Sequence, residues 1–204
     1  AEIAVQSAMT GHLVFSTLHT NDAPGAITRM MDMGIEPFLI SSSVIGVVAQ
    51  RLVRRICNKC KESYVPSERV LKVLGLPDTK TQIYRGKGCR YCKDTGYKGR
   101  VAIAEIMELN DELRELILNK RQTGDLRKVA EDAGMMSLKA DGLEKVLQGL
   151  TTVEEIARVT ELRLEEDKYG PKAVEKPAPK EPEKPGARPV RDEKWDLQEY
   201  QRRI

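Results

Sequence analysis

All four cysteines of this chain fall into two C-x-x-C pairs, Cys57-Asn-Lys-Cys60 and Cys89-Arg-Tyr-Cys92, with 28 residues between them. Two such knuckles supply four thiolates, the ligand set of a closed tetrahedral Zn²⁺ site with no open coordination position, so the expected metal is structural. The same residues admit two dithiol redox sites or unrelated buried thiols. A redox C-x-x-C, however, normally stands in a thioredoxin-like βαβ unit, which this sequence lacks, although the gap exceeds the usual spacing of about 15–20 residues. Gly86, Gly88, Gly96 and Gly99 flank the second pair and suit tight backbone turns around a metal.

The chain has two histidines, at the ends of the run His12-Leu-Val-Phe-Ser-Thr-Leu-His19. That run is mostly apolar and reads as a strand covered on both faces, as in a parallel sheet. Seven residues at ~3.3 Å each put the imidazoles about 23 Å apart, so one phosphate cannot meet both. Ligands of open parallel α/β sheets bind beyond the carboxyl ends of the strands, which selects His19, with Ser16, Thr17, Thr20 and Asn21, over His12. The cluster fits anion contact. It fits a helix cap equally well, with Thr20, Asn21 or Asp22 satisfying backbone amides ahead of Pro24. The sequence has no G-x-x-x-x-G-K-[ST], no apolar strand ending in an acidic pair for Mg²⁺ and water, no nucleophile elbow and no H-E-x-x-H.

These side chains need elements to place them. Ile3 to Met9 reads as a helix ended by Gly11, residues 20–34 as a helix with a capped start, Pro37 to Gln50 as another helix and Arg51 to Ile56 as a strand. After the cysteine segment come a strand from Arg100 to Leu109 and four short helices near 111–119, 123–133, 137–149 and 152–159. Alternation of strand and helix argues for an α/β layer. The basic residues Arg51, Arg54 and Arg55 suit a subunit or nucleotide contact, or a solvated strand flank. The methionines at 30, 31, 33, 135 and 136 read as core and interface filler.

Composition bounds the rest. The 204 residues carry 34 Lys+Arg against 31 Asp+Glu, a net charge of +3 that reads as evenly spread, with no electrostatic footprint for nucleic acid or an anionic membrane. The longest apolar stretch, Val44 to Ala49, is about six residues against the ~20 that a membrane span needs. No signal peptide opens the chain, the cysteine usage suits a reducing compartment, and the first residues read as the middle of a helix, so a piece of a longer protein is expected. Residues 161–191 are rich in Pro and charge and read as a disordered linker. Residues 192–204 regain a pattern, with Leu197, Tyr200 and Ile204 at helical spacing after Trp195, the sole tryptophan.

Four stretches together carry a family resemblance: Ala1 to Ala23 around the two histidines; Asp32-Met-Gly-Ile-Glu-Pro-Phe38; Gly88-Cys-Arg-Tyr-Cys-Lys-Asp-Thr-Gly-Tyr-Lys-Gly-Arg100; and Asp141 to Ile156. Residues 1–160 resemble the C-terminal part of type II secretion and type IV pilus assembly ATPases. The resemblance implies part of a RecA-like P-loop NTPase domain (1–56), a tetracysteine zinc-binding module (57–100) and a strand with a C-terminal helical subdomain (101–160). It further implies a homohexameric cytoplasmic ATPase that binds ATP with Mg²⁺ between two domains and passes its motion to inner-membrane platform proteins, with which it associates peripherally. His19 matches the box histidine near the γ-phosphate, with Thr17 and Thr20 beside it; His12 belongs to the same box, and Arg100, ahead of Glu105, matches an arginine lying against the adenine. The cysteines favour assembly-type over retraction-type members. The family's P-loop and acidic Walker B strand lie upstream of its histidine box, hence before Ala1, and the tail beyond 160 lies outside the pattern. The competing reading is a non-catalytic, zinc-stapled interaction module derived from that fold.

Overall fold

The computed structural model describes residues 1–75 and 81–160, all within the unit Ala1–Leu164. The segments read as a linker, 161–191, and an amphipathic helix, 192–204, lie outside the described residues. In chain order the elements are α1 (Glu2–Met9), α2 (Ala23–Asp32), α3 (Pro37–Ser43), β1 (Gly46–Ile56), β2 (Lys61–Tyr64), α4 (Glu68–Val73), β3 (Ile83–Gly86), a 3₁₀ turn (Arg90–Cys92), β4 (Tyr97–Glu108), α5 (Asp111–Leu118), α6 (Thr123–Asp132), α7 (Leu138–Leu147) and α8 (Val153–Val159).

Local chemistry starts the helices. Asp22 Oδ1 accepts the Gly25 N–H at 2.7 Å, with Pro24 in the first turn of α2. Asn110 accepts from Leu113 at 2.9 Å and Ser137 from Ala140 at 3.3 Å, which cap α5 and α7 in the same way. The helix expected over Pro37–Gln50 stops at Ser43. The hydroxyls of Ser41, Ser42 and Ser43 bond back to the carbonyls of Phe38 and Leu39, competing with the helical ladder, and β-branched Val47 and Val48 then continue as strand.

The fold is α/β, but the expected parallel sheet is not what forms. β1 and β4 make a two-stranded antiparallel ribbon, from Gly46↔Glu108 to Ile56↔Tyr97, and β2 and β3 a second antiparallel pair. The run 12–19, expected as a buried strand, takes no regular structure and pairs with no strand among the described residues. Leu13 and Phe15 are 71% and 87% exposed. An apolar extended run needs partners on its two edges to satisfy its amides, and the described residues supply none.

Strand parity divides the ribbon. Val47, Ala49, Arg51 and Val53 pair with Met107, Glu105, Ile103 and Val101 on the face turned inward. One core cluster gathers Ile27, Ile40, Met107, Leu113 and Leu126; the other gathers Val53, Ile83, Ile103, Val146 and Ile156. Glu105 sits between Ile103 and Met107, 1% exposed, where it accepts the Ala23 N–H at 2.8 Å and the Leu138 N–H at 3.1 Å. The first amides of α2 and α7 thus share one carboxylate, a charge-assisted use of two helix N-termini. On the outer face Val48, Leu52 and Ile106 are more than half exposed.

A second buried carboxylate fastens α8 to β1. Glu155 accepts the backbone N–H of Arg54 at 2.8 Å and its guanidinium at 2.7 Å, beside the ribbon's irregularity between Arg54 and Ile56, and also the Arg158 guanidinium at 3.0 Å. Burial opposes the charge, but these donors outweigh it and hold the carboxyl down to about 2. The stabilisation is therefore complete above the ordinary carboxylate range and is lost as pH falls from there toward 2. Glu155→Gln is expected to cost about 2–3 kcal/mol at pH 7, since the two arginines are half exposed and rehydrate. Thermal melts of the variant should converge on those of the parent as the pH approaches 2.5.

The charge is not evenly spread. Residues 57–100 hold eleven Lys and Arg against four Asp and Glu. Lys59, Lys87, Arg90, Lys93 and Lys98 are exposed there. The expectation of an unfeatured field therefore fails for this insert.

Candidate functional site

The four cysteine sulfurs converge. Cys57 follows β1 and Cys92 closes the turn ahead of β4, so the paired ends of the ribbon bring the two knuckles together. The Sγ separations are 3.9 Å for Cys57–Cys89, 3.8 Å for Cys60–Cys92 and 3.7 Å for Cys89–Cys92, and all four lie within 4.8 Å of one another. A tetrahedron with metal–sulfur distances of about 2.3 Å has edges of about 3.8 Å, so the donor set fits a thiolate-bound divalent ion. Backbone close approach makes this possible: a Cβ on Gly86 would stand 2.0 Å from the Gly96 carbonyl oxygen. Gly96 has φ +77°, and its carbonyl accepts the Cys57 N–H at 2.9 Å. Burial pushes the Cys60 thiol up to about 12. At Cys92 burial also opposes the charge, but the N–H groups of Cys89 and Gly96 outweigh it and bring the thiol down to about 6.

The histidines go to different places. His12 is exposed, its Nδ1 3.1 Å from Thr10 Oγ1 and 3.3 Å from the Ser7 carbonyl at the end of α1. His19 lines two adjoining open hollows of about 290 and 300 Å³. Thr20 and Asn21 border both, Asp22, Thr28, Arg29 and Thr123 the first, and Arg51 the second. His19 thus lines both of these hollows and His12 neither, though the strand geometry that argued for this does not form. Asp22 takes the capping role, which leaves the side chains of Thr20 and Asn21 outside it. Thr17 and Ser16 are exposed and line neither hollow. Arg100 is exposed on the ribbon's outer face, opposite Arg54, and the structure does not bring it to His19.

Of the three arginines in the basic run, Arg51 reaches Thr20 and Asn21, Arg54 is held by Glu155 with its guanidinium 4.2 Å from the Tyr97 ring centre, and Arg55 is exposed. Arg127, which no motif marks, donates to Asp22 Oδ2 at 2.7 Å. The oxygens of Thr28 and Thr123 meet at 2.7 Å and join α2 to α6.

Comparison with known proteins identifies the family. The family model described as type II/IV secretion system protein matches residues 1–158. The type IV pilus assembly ATPase PilB of Thermus thermophilus is 49% identical over 159 residues, covering 76% of this chain and 18% of the relative. The type II secretion system protein E of Pseudomonas aeruginosa is 52% identical over 161 residues, 78% of this chain and 32% of the relative. The chain therefore spans less than a third of the length of either. A crystal structure of the pilus retraction motor PilT with bound ADP superposes with a TM-score of 0.51 at 24% identity, covering 78% of this chain and 35% of that one, a likeness of fold. No helix among the described residues is long and apolar enough to cross a membrane. With a family model matched across residues 1–158 and relatives near half identity, the chain belongs to the type II/IV secretion system protein family.

Proposed function

We propose that this chain is the C-terminal part of a hexameric cytoplasmic ATPase that powers protein secretion or pilus assembly and associates peripherally with the inner membrane through platform proteins. The family match over residues 1–158 carries the reading. ATP and Mg²⁺ are bound with groups outside residues 1–204, because the sequence holds no phosphate-binding G-x-x-x-x-G-K-[ST]. His19 faces the γ-phosphate with Thr17 and Thr20 nearby, and Arg100 lies against the adenine. Zn²⁺ occupies the four-cysteine cluster and staples 57–100 as a module of its own; the helices of 101–160 form the C-terminal subdomain. The exposed run 12–18 becomes a strand of a RecA-like sheet once upstream strands lie beside it, and that assignment accounts for an apolar segment left in solvent.

The test is a pair of variants in the intact protein. His19→Ala should lower ATP turnover about 100- to 1000-fold, the loss expected for a preorganised donor to developing phosphate charge. His12→Ala should stay within a few-fold of the parent. Equal losses in a steady-state assay would overturn the assignment of His19.

A further inference from the structure

Among the described residues, the side-chain grips next to His19 lie on its C-terminal side, at Thr20, Asn21 and Asp22. Residues 12–18 enter the His19 loop without a ladder partner among the described residues. Beyond His19, the grips come from elements far away in sequence. Arg51, on the inward face of β1, directs Nη2 at the Thr20 carbonyl (3.2 Å), Asn21 Oδ1 (3.3 Å) and the Asn21 carbonyl (3.5 Å). One nitrogen with two hydrogens serves three oxygens of consecutive residues, so Arg51 fixes the loop's path as well as its distance. Arg127, on α6, donates to Asp22 Oδ2 at 2.7 Å and lies 3.8 Å from Glu105 Oε2. The other oxygen of Asp22 caps α2, and Glu105 takes the Ala23 N–H. Each oxygen of Asp22 thus already accepts one donor.

We propose that Arg51 and Arg127 are positioning residues that hold His19 in place, so that the α5–α6 pair and the β1–β4 ribbon together set where the imidazole stands. The acceptors of Arg51 are all neutral oxygens. Its interaction is therefore a hydrogen-bonding hold made through one nitrogen, carried by a planar guanidinium that orients it more rigidly than a freely rotating ammonium. Arg127 acts differently: it neutralises Asp22 and Glu105, the two carboxylates that receive the first amides of α2. The functional meaning of the clamp rests on the phosphate-facing reading of His19, but the clamp itself does not need nucleotide.

The test uses the 204-residue chain, whose two histidines give two imidazole Cε1–H signals by NMR. In Arg51→Met and in Arg127→Met the His19 signal should shift or broaden, while that of His12, bonded within its own helix end, should superimpose on the parent's and serve as internal control. Amide exchange at Gly25 should rise about tenfold in Arg127→Met, where Asp22 loses its second partner, and about twofold or less in Arg51→Met. Arg51→Lys should restore the His19 signal only in part. If Arg127→Met does not fold, Arg127→Lys, which keeps the charge and loses the fork, replaces it with the same expected direction. A His19 signal unchanged in both the Arg51 and Arg127 variants overturns the clamp. A displaced His19 signal, together with intact proteins carrying Arg51→Met or Arg127→Met that turn over ATP normally, would uphold the clamp and overturn the phosphate-facing reading.

Discussion

Protein purified under reducing conditions should carry one Zn²⁺ per chain, and removing it by chelation or by Cys89→Ser should abolish the local order of the cysteine module. The four sulfurs stand 3.7–3.9 Å apart along three of their edges, the spacing that a tetrahedral thiolate-bound ion requires. The site also closes the loop between Cys60 and Cys89, adding to the short β2–β3 pair and to the packing of Leu74 and Ile83 in the second core cluster. Zinc binding in small modules contributes on the order of 10 kcal/mol of folding free energy. Amides of 57–60 and 86–96 should lose exchange protection by more than about 100-fold. The cluster around Ile27, Met107 and Leu126 should stay protected, because none of its members lies in the insert. Metal analysis that finds no zinc, or four thiols that react with a thiol reagent at the rate of exposed cysteines, would overturn the assignment.

The sequence displayed what is local and concealed what is distant. Helices α2, α5 and α7 announce themselves through Asp22 with Pro24, Asn110 and Ser137, whose side chains act on amides three residues away. The cysteine cluster was legible for the same reason, since ligand type and C-x-x-C spacing report directly on metal chemistry. By contrast, the bonds that locate the His19 loop and α8 join residues 82, 101 and 105 positions apart. Glu105, Arg127 and Glu155 look like ordinary helix or strand charges until the ribbon and its helices are assembled. Parity would have flagged Glu105 alone, a carboxylate between Ile103 and Met107 in an alternating strand.

Two readings differ from the structure, one for want of partners and one for local side-chain chemistry. An apolar run such as 12–19 states that a strand would be buried, but whether it becomes one depends on neighbours that the described residues do not include. The stretch from Ile40 to Ala49 has apolar spacing compatible with helix or strand. Periodicity could not place the break that the three serines make. The selection of His19 over His12 was argued from the end of a strand that does not form here. In the structure His19 adjoins the hollows bordered by Thr20, Asn21 and Arg51, while His12 folds back on α1.

The 204-residue chain by itself is expected to show no measurable ATP hydrolysis and an ATP affinity no tighter than roughly millimolar. Phosphoryl transfer requires P-loop amides and lysine around the phosphates, Mg²⁺ held by hydroxyl and acidic ligands, and a residue that orients the attacking water, each worth orders of magnitude in rate. The sequence contains no G-x-x-x-x-G-K-[ST] to supply the first of these. Two carboxylates, Asp22 and Asp32, line a hollow with His19; Asp22 already holds Gly25 and Arg127, and no paired acidic motif for Mg²⁺ is present in the sequence. What remains is an imidazole, two arginines and a few hydroxyls around open hollows, with Asp22 and Asp32 of the wrong sign beside them, weak contacts for a highly charged anion that water solvates well. Isothermal titration with MgATP should therefore give no saturable heat below about 1 mM, and turnover should appear only when the polypeptide that precedes the histidine box in the relatives is joined to Ala1. Zinc-loaded, folded 1–204 that hydrolyses ATP as fast as the intact protein would show that the phosphate-binding groups lie within this chain, and would overturn both the inactivity and the proposed location of the missing machinery.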